Sequence, residues 1–226
     1  MGIQERKNRE KEERRALILE NAKSLILEYG IDALSMQDIA NAAELSKATL
    51  YLYFQSKEAI LGELLDEAAT AFTEYVQARI SSDDSGIVAL RTLWASYISL
   101  FGESEEVFIL TGIRNYIYPG FLLDLGPNDA AKTTPAGKMF SLISSLLARG
   151  VRDGTLDPSV EPEKMTRTVI MIATAIIDTV ARLPRPARNS RIIMTEMRNT
   201  FELLLRALAA KGTDKALLVL PGENGK

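Results

Sequence analysis

The 226-residue chain has no cysteine and no histidine. Without cysteine there is no disulfide framework and no thiol nucleophile. Without histidine a Ser-His-Asp triad cannot be built, and a zinc site loses its usual nitrogen and sulfur ligands. No phosphate-binding glycine loop occurs, because the 14 glycines are scattered. No apolar run reaches the roughly 18 residues of a membrane span. The N-terminus is a charged run rather than a secretory signal, so a cytosolic chain with no membrane partner is expected. No cofactor and no metal are expected either. An all-helical enzyme would have to rely on carboxylates alone, and that reading ranks third.

What is present is ordinary globular composition, with 46% hydrophobic and 25% charged residues and a net charge of −3. That balance argues weakly against a nucleic-acid partner. The first fifteen residues differ, with six basic side chains against four acidic ones. They read as a solvated, frayed start to the first helix; the alternative is an arm reaching phosphate or the minor groove.

The most informative stretch is Ser35–Lys57. Ser35 is a good N-cap, and Met36, Ile39, Ala40 and Ala43 then form one apolar helical face. Ser46 caps a second short helix with Leu50 and Phe54 turned inward. Two short helices, a tight connection and small residues at the crossing describe a helix-turn-helix. On the second helix Ala48, Thr49 and Leu52 point outward, Tyr51 and Tyr53 flank them, and Lys47 sits at its start. A thin face flanked by hydroxyls and lysines suits a major groove; an ordinary helical hairpin fits the same spacing.

Ile39-Ala40, Ala42-Ala43, Leu45-Ser46-Lys47, Thr49-Leu50-Tyr51, Phe54 and Lys57-Glu58 together resemble the DNA-binding signature of TetR/AcrR-type transcriptional regulators. Ile18, Ala22, Leu25, Tyr29-Gly30 and Ser35 extend the resemblance upstream, so that it covers about residues 18–61. It implies DNA contacts from Ser35, Gln37, Ser46, Lys47, Ala48, Thr49, Tyr51, Leu52, Tyr53 and Lys57. Thr49, Tyr51 and Lys57 are expected on phosphates, Lys47 on a base, and Leu52 against a thymine methyl unless it packs on the first helix instead. Glu44 stands where the family usually has a turn glycine. It implies either a strained left-handed residue or a different turn.

The rest of the chain reads as all-α, about nine helices in total and no strands. A first helix is expected over about Arg9–Tyr29 with Tyr29 in its buried stripe, and residues 1–8 are expected to be irregular. Further helices are expected over Lys57–Ile80, 87–101, Glu103–Tyr116, Pro135–Arg152, Pro162–Leu183 and Ala187–Ala210, with Leu217–Leu220 docking as a tail. Phe121–Pro135 reads as a long irregular connection able to gate something. Residues 1–60 form the expected DNA-binding domain and 61–226 the ligand-binding and dimerisation domain.

The resemblance further implies a small-molecule effector bound among the middle helices, with Trp94, Tyr97, Phe101, Phe108, Arg114 and Tyr116 as its candidate contacts. Core filling is the plainer role for these aromatics, and a solvated face the plainer place for Arg114. Asp178 is expected to pair with Arg182. The apolar Pro162–Leu183 helix and the last long helix suggest a four-helix homodimer interface, through Ile172, Ile176, Val180, Met197, Phe201 and Leu205. The expected function is a ligand-responsive, homodimeric regulator, a repressor on a double-stranded inverted-repeat operator. The alternative is a helical small-molecule-binding protein that has lost specific DNA binding.

Overall fold

A computed structural model describes residues 2–113, 117–118 and 134–221. Among them are nine α-helices and no strand. They are α1 (Ile3–Tyr29), α2 (Met36–Ala42), α3 (Lys47–Tyr51), α4 (Lys57–Gln77), α5 (Gly86–Glu103), α6 (Glu105–Gly112), α7 (Pro135–Arg152), α8 (Pro162–Arg182) and α9 (Ser190–Leu208). Arg114, Tyr116 and the connection Phe121–Pro135, up to residue 133, lie outside the described residues.

Side-chain caps set most of the starts. Ser35 accepts from the Asp38 N–H while Asp38 accepts from the Ser35 N–H, a reciprocal box that opens α2. Ser46, Ser56, Thr134 and Asn189 each accept a first-turn N–H at α3, α4, α7 and α9. Pro162 opens α8 in the first turn, where its missing N–H costs nothing.

Several boundaries differ from the sequence reading. α1 begins at Ile3, because Glu5 caps the Gly2 N–H at 2.8 Å and the pairs Arg6–Glu10 and Arg9–Glu13 brace the first turns. Tyr29 is exposed, one residue before Gly30 turns the chain with φ +82°. α4 ends at Gln77, and α6 starts after Ser104 rather than at Glu103. Pro184 and Pro186 hold a 3-10 turn, Arg185–Ala187, that delays α9 to Ser190. The tail docks within the chain: Arg91 and Arg198 donate to the Val219 and Leu220 carbonyls, and Leu220 is buried.

The body is layered around α5, which packs on α4, α6, α7 and α9, while α8 packs on α6 and α7. The start of α5 lies against the end of α7 with almost no gap. A Cβ on Gly86 would stand 2.1 Å from the Gly150 Cα, so only glycine permits that crossing. Asp153 secures it by accepting from the Gly86 N–H at 2.7 Å. Burial alone would raise the Asp153 pKa, but the hydrogen bonds from Thr155 and Gly86 outweigh it and hold the carboxyl below its usual value.

α1 to α3 join this body at the far end of α1. Arg188, only 9% exposed, donates to the Leu183 carbonyl at 2.9 Å, to Glu105 at 3.2 Å and to the Ile26 carbonyl at 3.3 Å. It therefore ties α1, α6 and the segment after α8 in one place. Around it Lys23 pairs with Glu106 at 2.9 Å, Arg182 with Asp32 at 3.0 Å, and Arg185 approaches Glu28 at 3.8 Å. These outer pairs are wet and individually weak; Arg188 is not. Replacing Arg188 by Met should lower stability by about 2–4 kcal/mol, because two carbonyls and a carboxylate lose a charged donor. Asp32→Asn should cost under about 1 kcal/mol. Thermal melts of the two variants against wild type check the ranking.

Candidate nucleic-acid interface and effector cavity

The connection between α2 and α3 resolves the question posed by Glu44. Its φ is +54°, the only positive value on a non-glycine among the described residues. The Leu45 N–H reaches the Ala40 carbonyl at 2.8 Å, and the Glu44 N–H reaches Asn41 at 3.1 Å. That pair of bonds is a Schellman closure with Glu44 at its left-handed position. The turn is thus the one a glycine would make, adopted at the cost of strain rather than replaced by another turn.

The turn sets α3 across α2 with Leu50 fully buried and Phe54 nearly so. Most of the residues expected on the outer face are exposed. Thr49, Tyr53 and Lys57 are half-buried, while Ser35, Gln37, Ser46, Lys47, Ala48 and Tyr51 are exposed and Leu52 is 79% exposed. Leu52 therefore does not pack on the first helix. An apolar side chain this exposed, beside Tyr51 at 46%, leaves a face that water solvates poorly. Thr49 and Ser46 share a hydrogen bond between their hydroxyls at 2.8 Å, which orients both at the helix start.

Lys57 makes a structural contact that its sequence position did not reveal. Its ammonium donates to the Leu34 carbonyl at 3.0 Å, fastening the start of α4 to the segment before α2. Arg15 was not singled out in the sequence either. It donates to the Tyr53 carbonyl at 2.9 Å, meets Glu63, and lies 4.3 Å from the Phe54 ring centre. Lys57 thus fixes the approach to α2 and Arg15 the segment that leaves α3, and no periodic signal marks either one.

A cavity of about 80 Å³ lies in the body, between α4, α5, α7 and α8. Trp94 and Tyr97 line it as expected. Phe101 and Phe108 do not. They are buried behind Tyr97, with rings 4.8 Å apart, and fill the core. The sequence reading missed the α8 wall, Val169, Ile170, Ala173, Thr174 and Ile177. Thr166, Val169, Ile170, Ala173, Ile177 and Val180 do recur at helical spacing, but spacing marks a buried stripe and not which part of it borders a cavity.

The cavity wall is neutral among the described residues. Its hydroxyls are already committed: Thr73 donates to Ala69, Thr111 to Val107, Thr174 to Ile170, and Tyr97 to Ala173 at 3.1 Å. Burial pushes the Tyr97 phenol well above its usual pKa, so it stays protonated.

The expected dimer residues divide. Met197, Phe201 and Leu205 are fully buried within the chain, and Val180 nearly so. Phe201 stacks on Trp94 with ring centres 5.6 Å apart. These four serve the chain's own core and cannot face a second copy. Ile176 is half-buried and packs against the core, so of the six only Ile172, half-buried beside exposed Met171, stands outside it. On α9 the outward apolar residues are Ile192, 59% exposed, and Leu203, 64% exposed. Asp178 meets Arg182 at 3.1 Å, the pairing expected from their spacing.

Residues 18–64 match the profile of the bacterial regulatory proteins, tetR family. The chain is 36% identical over 119 residues to the HTH-type transcriptional repressor DhaR of Mycobacterium sp. (strain GP1), covering 51% of this chain and 54% of that protein. It spans about half the length of the curated relatives it matches. The ketosteroid transcriptional regulator KstR2 of Mycobacterium tuberculosis shares the fold with a TM-score of 0.60, over 88% of this chain and 96% of that one, at 17% identity. AibR in complex with isovaleryl coenzyme A and operator DNA gives a TM-score of 0.55 over 81% and 95% of the two chains, at 22% identity. At such identities the likeness is one of fold.

The strain at Glu44 is directly measurable. Glu44→Gly should raise stability by about 1 kcal/mol by removing the left-handed penalty, whereas Glu44→Ala removes the charge and keeps the strain. Equal melting temperatures for the two variants would show that the turn is unstrained.

Proposed function

Because the chain belongs, through its helix-turn-helix head, to the tetR family of bacterial regulatory proteins, we propose that it is a ligand-responsive repressor that binds operator DNA as a homodimer. Residues 1–60 are then the DNA-binding unit, and 61–226 bind the effector and the second copy, in the cytosol where the operator lies. The observation that carries the reading is the exposed face of α3, with Lys47, Ala48, Tyr51 and Leu52 in solvent above a buried Leu50. A five-residue helix reads too few base pairs to be specific alone, so two copies on an inverted repeat are required. Repression follows by occlusion. DhaR is named a repressor, and AibR was solved with operator DNA and an acyl thioester.

The committed hydroxyls and uncharged wall favour a neutral, largely apolar effector. The cavity is small, so such a ligand has to part α4 from α8 in order to enter. Both helices run to the head. α4 starts just after α3, and α8 ends at Arg182, bonded to Asp32. An effector that prefers the parted state shifts the head positions by its differential affinity. The reading in which DNA binding has been lost gains little support from Glu44, since the turn keeps its Schellman bonds.

Selection of bound duplexes from random DNA tests the proposal. An inverted repeat is expected, with thymine-containing steps opposite Leu52, and Leu52→Ala should relax preference there by about 1 kcal/mol without changing the melting temperature. Recovery of no consensus would refute the reading. The second copy is expected on the outer faces of α8 and α9. Leu203→Arg should fold normally and sediment as a monomer with weakened operator binding, while a dimer persisting in that variant moves the interface elsewhere.

A further inference from the structure

α1 changes character along one face. In its C-terminal half Ile18 and Ala22 are fully buried and Leu25 is half-buried. Read backwards from Ile18 at spacings of four, three and four residues, the same face continues as Arg14, Lys11 and Lys7. All three are exposed and border one concavity with Leu17 and Tyr53, the residue two places after α3 ends. Glu10 and Glu13 border it too, but each is engaged, Glu10 by Arg6 at 3.1 Å and Glu13 by Arg9 at 3.5 Å. Lys7, Lys11 and Arg14 form no ion pair among the described residues.

The direction of the rod is fixed by its contacts. Its C-terminal end is held to the body through Lys23, Ile26 and Glu28. Its middle is held to the segment just after α3 by Arg15 on Tyr53 and Phe54. Residues 3–14 therefore extend about 18 Å further, at 1.5 Å per residue, on the side away from the body. A helix that is polar all round is sustained by i,i+4 pairs, here Arg6–Glu10 and Arg9–Glu13, and leaves its other side chains in solvent. Here the core-facing stripe has been exchanged for cations at the point where the core stops.

We propose that Lys7, Lys11 and Arg14 form a second DNA contact, gripping the sugar-phosphate backbone outside the half-site read by α3. The contact is electrostatic and indifferent to base sequence. It rests on the DNA-binding reading above, and it accounts for how a head with no net positive charge holds a polyanion. The two acids that border this concavity, Glu10 and Glu13, are paired within the helix, while Lys7, Lys11 and Arg14 gather on one line.

The test compares wild type with the triple variant Lys7→Gln, Lys11→Gln, Arg14→Gln on two selected duplexes. One duplex ends at the consensus; the other carries about ten further base pairs on each side, one helical turn. Wild type should bind the longer duplex more tightly. The variant should bind both alike, roughly tenfold or more weakly than wild type on the long one. The slope of log K against log salt should fall by about 2–3, near 0.9 per lost phosphate contact. Its melting temperature and consensus should not change. If wild type binds a consensus and the variant keeps both the slope and the preference for the longer duplex, the stripe has no role on DNA. If wild type selects no duplex at all, the regulatory reading falls and takes this contact with it.

Discussion

The guanidinium of Arg188 bonds to three separate segments at one point. It takes the Ile26 carbonyl from the end of α1, the Leu183 carbonyl just after α8, and Glu105 from the start of α6. A buried arginine with planar, spaced donors can satisfy all three at once, which a lysine cannot. The Leu183 carbonyl lies just past the end of α8, and the Ile26 carbonyl, which already accepts the Gly30 N–H at 2.9 Å, takes Arg188 as a second donor. The same joint brings Gly30 within 2.6 Å, at its would-be Cβ, of the Arg182 carbonyl. The orientation of the head on the body is therefore set by backbone contact, and the wet pairs around Arg188 trim it.

This joint gives α8 its place in the proposed mechanism. One side of the helix lines the cavity through Val169, Ile170, Ala173 and Ile177, its outer side carries Met171 and Ile172, and its end meets Asp32 in the head. A single helix thus touches the cavity, the outer apolar face and the head. Movement at the cavity has a short route to α3, through α8 and Asp32 on one side and directly along α4 on the other. Proteins with packed interiors transmit such shifts because the packing resists local collapse.

The polar organisation of the head is economical for the same reason. A chain with a net charge of −3 is not drawn to DNA by its overall field. Local arrangement has to do the work, and in α1 intrahelical pairing sequesters Glu10 and Glu13 while Lys7, Lys11 and Arg14 stay in water. Composition counts charges and is blind to where on a helix they lie.

What the sequence determined by itself is everything carried by local chemistry. Ser35, Ser46 and Ser56 announce helix starts because a cap bonds to the turn it opens, and all three do so here. The buried stripes of α2 and α3 follow from residue spacing, as does the pairing of Asp178 with Arg182. Glu44 raised the question of a left-handed turn because only a few bonds around it were in play. The tertiary structure alone decided which stripe of α9 faces inward and which face of α8 meets the cavity. Met197, Phe201 and Leu205 look the same on paper whether they pack on α5 or on a second copy. The strongest apolar stripe goes first to the chain's own core, since intramolecular burial needs no partner. Arg188, Lys57 and Arg15 were invisible for the same reason. Each bonds to carbonyls distant in sequence, and no spacing records which carbonyls folding will leave unsatisfied beside them.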